Sequence, residues 1–322
     1  MKTVKYGILG CGEHALQSHA LPGKDIPGLR LAALCDISEE HMASFEKAYG
    51  KRLAKFTDKD EFMQSGIDAV LISTPDEFHY SELAAAIKYG LHAFVEKPIA
   101  ISYDQINPSS SSKKIENLGL EWLLQVASEK SLIVSSCHPR RYDPPFMWLK
   151  NNLPALESEL GKPIAFEFDF SYHKPSAVWK LSRSLLLDHA NHELDLLNYL
   201  FGHKGISSLD AIDGFDHYRI TGLRDDGILF SIGGTRRLES REYLEWIRMR
   251  FDRGNIVLDA HKGIVEIHNH DKKAVKHVKI KPTDYALRGR MTLVNFVNAI
   301  NGAEKCYLTH KDLLFNNIYP VM

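Results

Sequence analysis

The sequence predicts an α/β domain followed by an α+β domain, on three observations. Through residues 1–142, short β-branched runs alternate with helical patterns. After Gly202 the rhythm changes to short alternating runs separated by turn chemistry. Between them Asp143-Pro144-Pro145 interrupts regular structure, so domains of 1–142 and 143–322 are expected. No internal repeat is visible.

In the first part the strand-like runs are Val4–Leu9, Leu29–Cys35, Asp68–Ser73, Ala93–Val95 and Leu132–Ser135. The helical patterns are Glu39–Tyr49, Phe78–Tyr89 and Ile115–Glu129. Apolar strands alternating with helices imply a parallel sheet covered on both faces. Asn107–Lys114, with four serines in a row, reads as an exposed loop. In the second part the turns are Asp225-Asp226-Gly227, Asp252-Arg253-Gly254-Asn255, His261-Lys262-Gly263 and Asn269–Lys273. Glu245–Phe251 puts Ile247, Met249 and Phe251 on one face and Arg248 and Arg250 on the other, a half-buried antiparallel strand. Helices close the chain near Met291–Ile300 and His310–Tyr319.

Composition excludes several classes. With 44% hydrophobic and 25% charged residues, the 322-residue chain has the ordinary globular mix. Forty basic against 41 acidic residues leave a net charge of −1, so no global field draws nucleic acid or an anionic membrane. The four cysteines, Cys11, Cys35, Cys137 and Cys306, form no CxxC pair and read as reduced thiols. The N-terminal apolar run is too short for a signal-peptide core, and no stretch is long enough to span a bilayer. A cytoplasmic protein is expected.

The first strand runs into Gly10-Cys11-Gly12-Glu13-His14-Ala15 and a helix start. Gly10 permits the tight turn, Gly12 lets the backbone approach a pyrophosphate, and Ala15 keeps helix and strand close. The helix N-terminus offers N–H groups and partial positive charge to phosphates. The second strand ends at Asp36, 24 residues beyond Gly12, where a carboxylate accepts from adenosine ribose hydroxyls. Asp36 also stands where it could cap the next helix, but Ser38 is better placed for that. The combination predicts a dinucleotide site. Because Asp36 repels a 2′-phosphate, NAD is expected ahead of NADP, which a neighbouring base could still admit.

Three further segments carry a family resemblance. They are Ser73-Thr74-Pro75-Asp76-Glu77-Phe78-His79, Glu96-Lys97-Pro98, and Leu187-Asp188-His189-Ala190-Asn191-His192-Glu193-Leu194-Asp195 before a Tyr-Leu-Phe-Gly helix end. With the glycine turn, they resemble the glucose–fructose oxidoreductase and inositol dehydrogenase family (Gfo/Idh/MocA) from Val4 to at least Asp312. The resemblance implies a Rossmann domain and an α+β domain with a large, open, mainly antiparallel sheet that often forms the oligomer contact. It also implies hydride transfer at a carbinol or carbonyl of a sugar, cyclitol, sugar nucleotide or related small molecule. By the same resemblance Lys97, Asp188 and His192 are catalytic. Thr74, Pro75 and His79 line the cofactor, Glu96 contacts its region, and Arg141-Tyr142-Asp143-Pro144 runs beside nicotinamide and substrate.

The residue chemistry agrees. Asp188 and His192 are four apart and share a helix face, which Asp195 and Tyr199 continue; Leu194, Leu197, Leu200 and Phe201 form the opposite stripe. Alcohol oxidation needs a base, which a histidine near pKa 6.5 provides, and an adjacent carboxylate stabilises the imidazolium. Lys97 follows a strand's carboxyl end, where such sheets present ligands, and could stabilise a developing alkoxide. Without the other motifs, Asp188 and His192 would read as a solvated helix pair.

Departures from the family pattern bear on the substrate. Trp179–Leu187 lacks the expected glycines and is shortened, leaving Trp179, like Arg141 and Asn191, a candidate substrate contact. His138-Pro139 stands where an asparagine or aromatic residue is usual, and the chain ends at Met322, earlier than the usual C-terminal helix. The donors His138, Arg140, Arg141, Lys180 and Asn191 favour a polyhydroxylated or phosphorylated ligand. No metal is expected: His189, His192 and Asp195 lack HExxH spacing, and His268, His270 and His277 read as solvated. Two alternatives are a catalytically silent NAD-binding sensor or scaffold, and a reductase of a non-sugar molecule of the dihydrodiol type. A homodimer or homotetramer through the second domain's sheet is expected.

Overall fold

The computed structural model describes residues 2–107, 115, 118–173, 184–237 and 243–321. Most of the serine-rich loop, and Trp179 and Lys180, lie outside the described residues. The chain forms two compact units, Met1–Pro139 with Asp284–Met322, and Arg140–Thr283.

In the first unit β1 (Val4–Leu9), β2 (Leu29–Cys35), β3 (Ala54–Phe56), β4 (Ala69–Ile72), β5 (His92–Val95) and β6 (Val134–Ser136) form one parallel sheet. Its order is β3-β2-β1-β4-β5-β6, the Rossmann arrangement whose direction of winding reverses between β1 and β4. Leu9, Val70, Ile72, Ala93 and Val95 belong to one core cluster and Val4, Tyr6, Ile8, Leu71 and Phe94 to another. Alternate side chains thus leave opposite faces, and helices cover both. The helices Glu39–Tyr49 and Asp76–Lys88 stand where the apolar spacing puts them, the first capped by Ser38, whose side chain accepts from the His41 amide.

The expected boundary needs correcting at its far end. Leu293, Phe296 and Val297, from the helix Tyr285–Ile300, join one cluster of the first unit; Leu308 and Leu313 join the other. An apolar helical stripe records that something is covered, not what. Asp143-Pro144-Pro145 likewise does not break structure but starts a helix, Pro144–Leu160, with proline in its first turn, where no N–H is missed.

The second unit carries an eight-stranded sheet made of β7 (Pro163–Ser171), β8 (Ile206–Asp213), β9 (His217–Arg224), β10 (Leu229–Thr235), β11 (Leu244–Phe251), β12 (Gly254–Asp259), β13 (Ile264–Asn269) and β14 (Ala274–Lys279). The order is β14-β13-β12-β11-β7-β10-β9-β8, antiparallel except where β10 runs parallel to β7. Phe166, Phe168, Phe170, Ile247, Met249, Ile220 and Ile232 are buried on one face. There Phe166 meets Phe201 of the helix Leu185–Phe201, with ring centroids 5.7 Å apart. On the other face Glu167 pairs with Arg248 and Arg250, among the exposed Ile212, Leu223, Leu229 and Trp246. No helix among the described residues is long and apolar enough to cross a membrane. All four cysteines are free; burial pushes the Cys35 thiol up to about 12, which keeps it unreactive.

Candidate active site

The glycine turn at the carboxyl end of β1 is built by backbone geometry. Gly10 has φ +92°, and a Cβ there would lie 2.7 Å from the backbone of Ser73 and Thr74. Only glycine allows β1 and the loop after β4 to approach this closely. Gly12 is the reverse case: a Cβ would meet nothing within 4 Å, so open space lies over this backbone. That space, with the N–H groups of the turn, fits a pyrophosphate. Glu13 and His14 are exposed beside it, while Ala15 is fully buried against the sheet.

Asp36 fixes the neighbouring loop. Its Oδ2 accepts from the Cys11 amide at 2.7 Å and its Oδ1 from the Ser38 amide at 2.9 Å. The carboxylate therefore braces the glycine turn, with lone pairs left for ribose hydroxyls. Next to it Ile37 is 96% exposed, an apolar side chain suited to cover an adenine face. Sequence reasoning missed it, because one isoleucine in a turn carries no periodic signal.

The segment after the glycines is helical, as expected, but with a wider turn than an α-helix. Ala15–Ala20 is a π-helix, and its consequence is seen at Glu96. Glu96 is 5% exposed, and its Oε1 lies 3.1 Å from His14 Nε2 and 2.5 Å from His19 Nε2. Its Oε2 accepts from the Lys97 amide at 3.1 Å. Burial pushes the Glu96 carboxyl up, but the imidazoles of His14 and His19 outweigh it and hold the group well below the usual carboxylate range. Lys97 follows β5 half-buried, joined to Pro98 by a cis peptide.

Thr74 and Pro75 follow β4. The Thr74 hydroxyl donates to Glu82, a buried residue of the helix Asp76–Lys88, which sequence reasoning did not single out. His79 is 1% exposed, with Nδ1 2.7 Å from the Pro98 carbonyl oxygen and Nε2 2.8 Å from that of Thr74. It bridges the loops after β4 and β5, so any effect on a bound ligand passes through them. The first unit thus gathers Gly10, Gly12, Glu13, His14, Ala15, Asp36, Thr74, Pro75, Glu96 and Lys97 around the carboxyl ends of its strands.

In the second unit Asp188 and His192 are half-buried, one turn apart on the helix Leu185–Phe201. Asn191 is 1% exposed, and neither its amide nitrogen nor its oxygen has a hydrogen-bond partner; the same holds for Asn198, two turns on. Buried polar groups are normally paired, so the Asn191 amide keeps its full hydrogen-bonding capacity one residue before His192. The fork of Arg141 is spent on Asp195, through Nε to Oδ2 at 2.9 Å and Nη2 to Oδ1 at 2.7 Å. Its guanidinium also lies 5.4 Å from the Tyr199 ring centre.

A second buried network escaped the sequence. Glu193 has no exposed surface; it lies 2.8 Å from Arg140, accepts from Tyr218 at 2.7 Å and lies 2.9 Å from His189 Nδ1. Burial raises the Glu193 carboxyl, while His189 and Arg140 lower it further, so it stays below its ordinary range. Arg140 also reaches Glu245 at 2.5 Å, and the His189 ring stacks on Phe170 at 3.9 Å. A signal existed: Leu186, Ala190, Glu193 and Leu197 sit at helical spacing, so a carboxylate stands in an apolar stripe.

Residues 4–111 match the oxidoreductase family with an NAD-binding Rossmann fold, Gfo/Idh/MocA. The chain is 26% identical over 201 residues to the scyllo-inositol 2-dehydrogenase (NAD(+)) of Bacillus subtilis (strain 168), covering 62% of this chain and 54% of that one. It spans about half the length of the curated relatives it matches. Among solved structures it is similar to the UDP-N-acetylglucosamine 3-dehydrogenase of Acidithiobacillus ferrooxidans, at TM-score 0.76 and 20% identity over 98% of this chain and 95% of that chain. A levoglucosan dehydrogenase, solved with NADH and levoglucosan, superposes at TM-score 0.80 and 17% identity over 98% and 95%. These two likenesses show the fold.

Proposed function

We propose that this chain, whose residues 4–111 match the oxidoreductase family with an NAD-binding Rossmann fold, transfers a hydride between nicotinamide and a secondary alcohol or ketone of a sugar, cyclitol, sugar nucleotide or related polyol. The observation that carries this is the open space over Gly12, at the carboxyl edge where Asp36, Thr74 and Lys97 follow their strands. The names of the inositol dehydrogenases among its relatives support the substrate class.

NAD, when bound, supplies the hydride acceptor. The amides of the glycine turn hold its pyrophosphate, Asp36 its adenosine ribose, and Ile37 covers the adenine. Lys97 presents a fixed positive charge to the substrate oxygen and stabilises it as its proton leaves. His192 takes that proton, and Asp188 stabilises the imidazolium. Asn191 hydrogen-bonds a further substrate hydroxyl, and Arg141, committed to Asp195, positions the helix carrying these groups. The outer sheet face, which exposes the cross-strand pair Leu223 and Leu229 and also Trp246, joins a second copy. A monomer by light scattering at micromolar concentration would remove that last element.

The test is a panel of sugars, cyclitols and nucleotide sugars assayed by nicotinamide absorbance with NAD and NADP. Asp36 predicts the NAD reaction to be the more efficient. On a turned-over substrate, His192→Ala should cut turnover by about 100-fold or more while leaving NAD affinity within a few-fold. Near-normal turnover in that variant refutes the assignment. NAD binding with no substrate in the panel favours a silent sensor.

A further inference from the structure

The π-helix after the glycine turn has a geometric effect that an α-helix would not. In a helix of 3.6 residues per turn, His14 and His19 would point about 140° apart around the axis. The wider turn at Ala15–Ala20 brings both imidazoles to one carboxylate oxygen of Glu96, 77 residues away in the sequence. Such single turns are uncommon and concentrate at functional sites. We propose that His14, His19 and Glu96 bind a divalent transition metal of the zinc class, with a fourth coordination position open toward solvent beside His14.

The donor set selects the ion. Two imidazoles and one carboxylate suit zinc, cobalt or nickel, whereas magnesium and calcium prefer an all-oxygen shell. The three ligand atoms lie within 4.8 Å of one another. Tetrahedral coordination at about 2.0 Å spaces neighbouring ligand atoms at about 3.3 Å. The His14 contact, at 3.1 Å, is already near that spacing, and the 2.5 Å His19 contact needs to open by about 0.8 Å.

The surroundings hold the ligands in place. Ser18 Oγ lies 3.1 Å from His14 Nδ1, the outer nitrogen that must be oriented when Nε2 binds an ion. Glu96 is steadied through its other oxygen by the Lys97 amide. His19 is fully buried against Phe94, with ring centroids 5.6 Å apart, so its ring cannot swing away. Its Nδ1 has no hydrogen-bond partner, so this ligand lacks the outer-shell support that His14 has. That omission costs about 10–100-fold in affinity relative to a fully supported ligand set. His14 is 44% exposed at its side chain, which gives an ion a way in. Bound there, the ion ties the segment after the glycine turn to the end of β5 just before Lys97. The site does not depend on hydride transfer, and failure to find a substrate leaves it standing.

The experiment uses the full chain without an affinity tag, stripped with chelator and titrated with Co²⁺ alone. Visible d–d absorption should saturate at one Co²⁺ per chain, with Zn²⁺ displacing it and Mg²⁺ not. His14→Ala, a surface change compatible with folding, should weaken Co²⁺ binding by about 100-fold. Ser18→Ala should weaken it by about 10-fold. His268→Ala, on the second unit's sheet, serves as the control and should change nothing. Circular dichroism confirms that each variant is folded. The proposal is overturned if stoichiometric Co²⁺ gives no tetrahedral bands, or if His14→Ala leaves the affinity unchanged. In either case His14, Glu96 and His19 are a hydrogen-bonded triad only.

Discussion

Glu82 makes the stability of this protein depend on pH in a direction opposite to most carboxylates. It is 6% exposed and accepts one hydrogen bond from Thr74. Burial dominates and pushes its carboxyl from 4.5 up to about 7, with the Thr74 bond and the charge of Lys59 opposing. Between those values the folded state keeps a proton that the unfolded state has lost. The contribution is therefore fully present below the unfolded pKa and is lost as pH rises through about 7. The difference between 4.5 and about 7 corresponds to about 3 kcal/mol in full. Glu82→Gln removes the titration while leaving an oxygen for Thr74 to donate to. Urea unfolding followed by circular dichroism from pH 5 to pH 8 should show wild type losing stability relative to the variant, by about 2.5 kcal/mol over the interval, the rest being lost already below pH 5. Taking the difference between the two proteins cancels the other titrating groups. A difference that stays flat with pH refutes the reasoning, because it would mean Glu82 is already ionised in the folded state at pH 5.

Two glycines and one arginine give further expectations. Gly10→Ala meets the Ser73 and Thr74 backbone at positive φ and should destabilise the first unit by about 2–4 kcal/mol, read as a lowered melting temperature. Gly12→Ala enters open space and should shift stability by less than about 0.5 kcal/mol, yet NADH titration by fluorescence should show binding sharply weakened. Arg140→Ala leaves Glu193 and Glu245 buried without their cation and should cost about 3–5 kcal/mol in denaturant unfolding.

How much of this is legible in the sequence depends on how local the cause is. Glu39–Tyr49 has the same bounds in pattern and structure, because Ser38 caps one end and Gly50, at φ +75°, closes the other. The glycine turn and Asp36 are legible for a similar reason: their spacing follows from one strand, one turn and one helix. Pro163–Ser171 is a different failure. Its Phe166, Phe168 and Phe170 alternate as cleanly as Ile247, Met249 and Phe251, but placing the change of rhythm after Gly202 passes over it. That strand lies between β11 and β10, near the middle of the second sheet. The buried networks were out of reach for a physical reason. The pairing of Arg140 with Glu193 and Glu245 spans 105 residues at its longest, and only burial turns those ordinary charges into a network.

The closing stretch of the chain joins fold and chemistry. A parallel sheet needs cover on both faces, and the segments between its own strands do not supply all of it. Residues 284–322 add Leu293, Phe296 and Val297 to one face and Leu308 and Leu313 to the other, so the first unit is complete only when the last residues have returned to it. The return also reaches the loop after β5. Asn317 Oδ1 accepts from the amides of Ile99 at 2.7 Å and Ala100 at 3.1 Å, while its own amide donates to the Leu313 carbonyl. These are the amides that directly follow Lys97-Pro98, and no strand partner is available to them once β5 has ended at Val95. A buried amide without a partner is costly, so the side chain of Asn317 fixes the course of this loop as firmly as a ladder bond would. The lysine proposed to hold the substrate oxygen is thus set from two sides: by Glu96, which accepts from its amide, and by an asparagine more than 200 residues further along the chain.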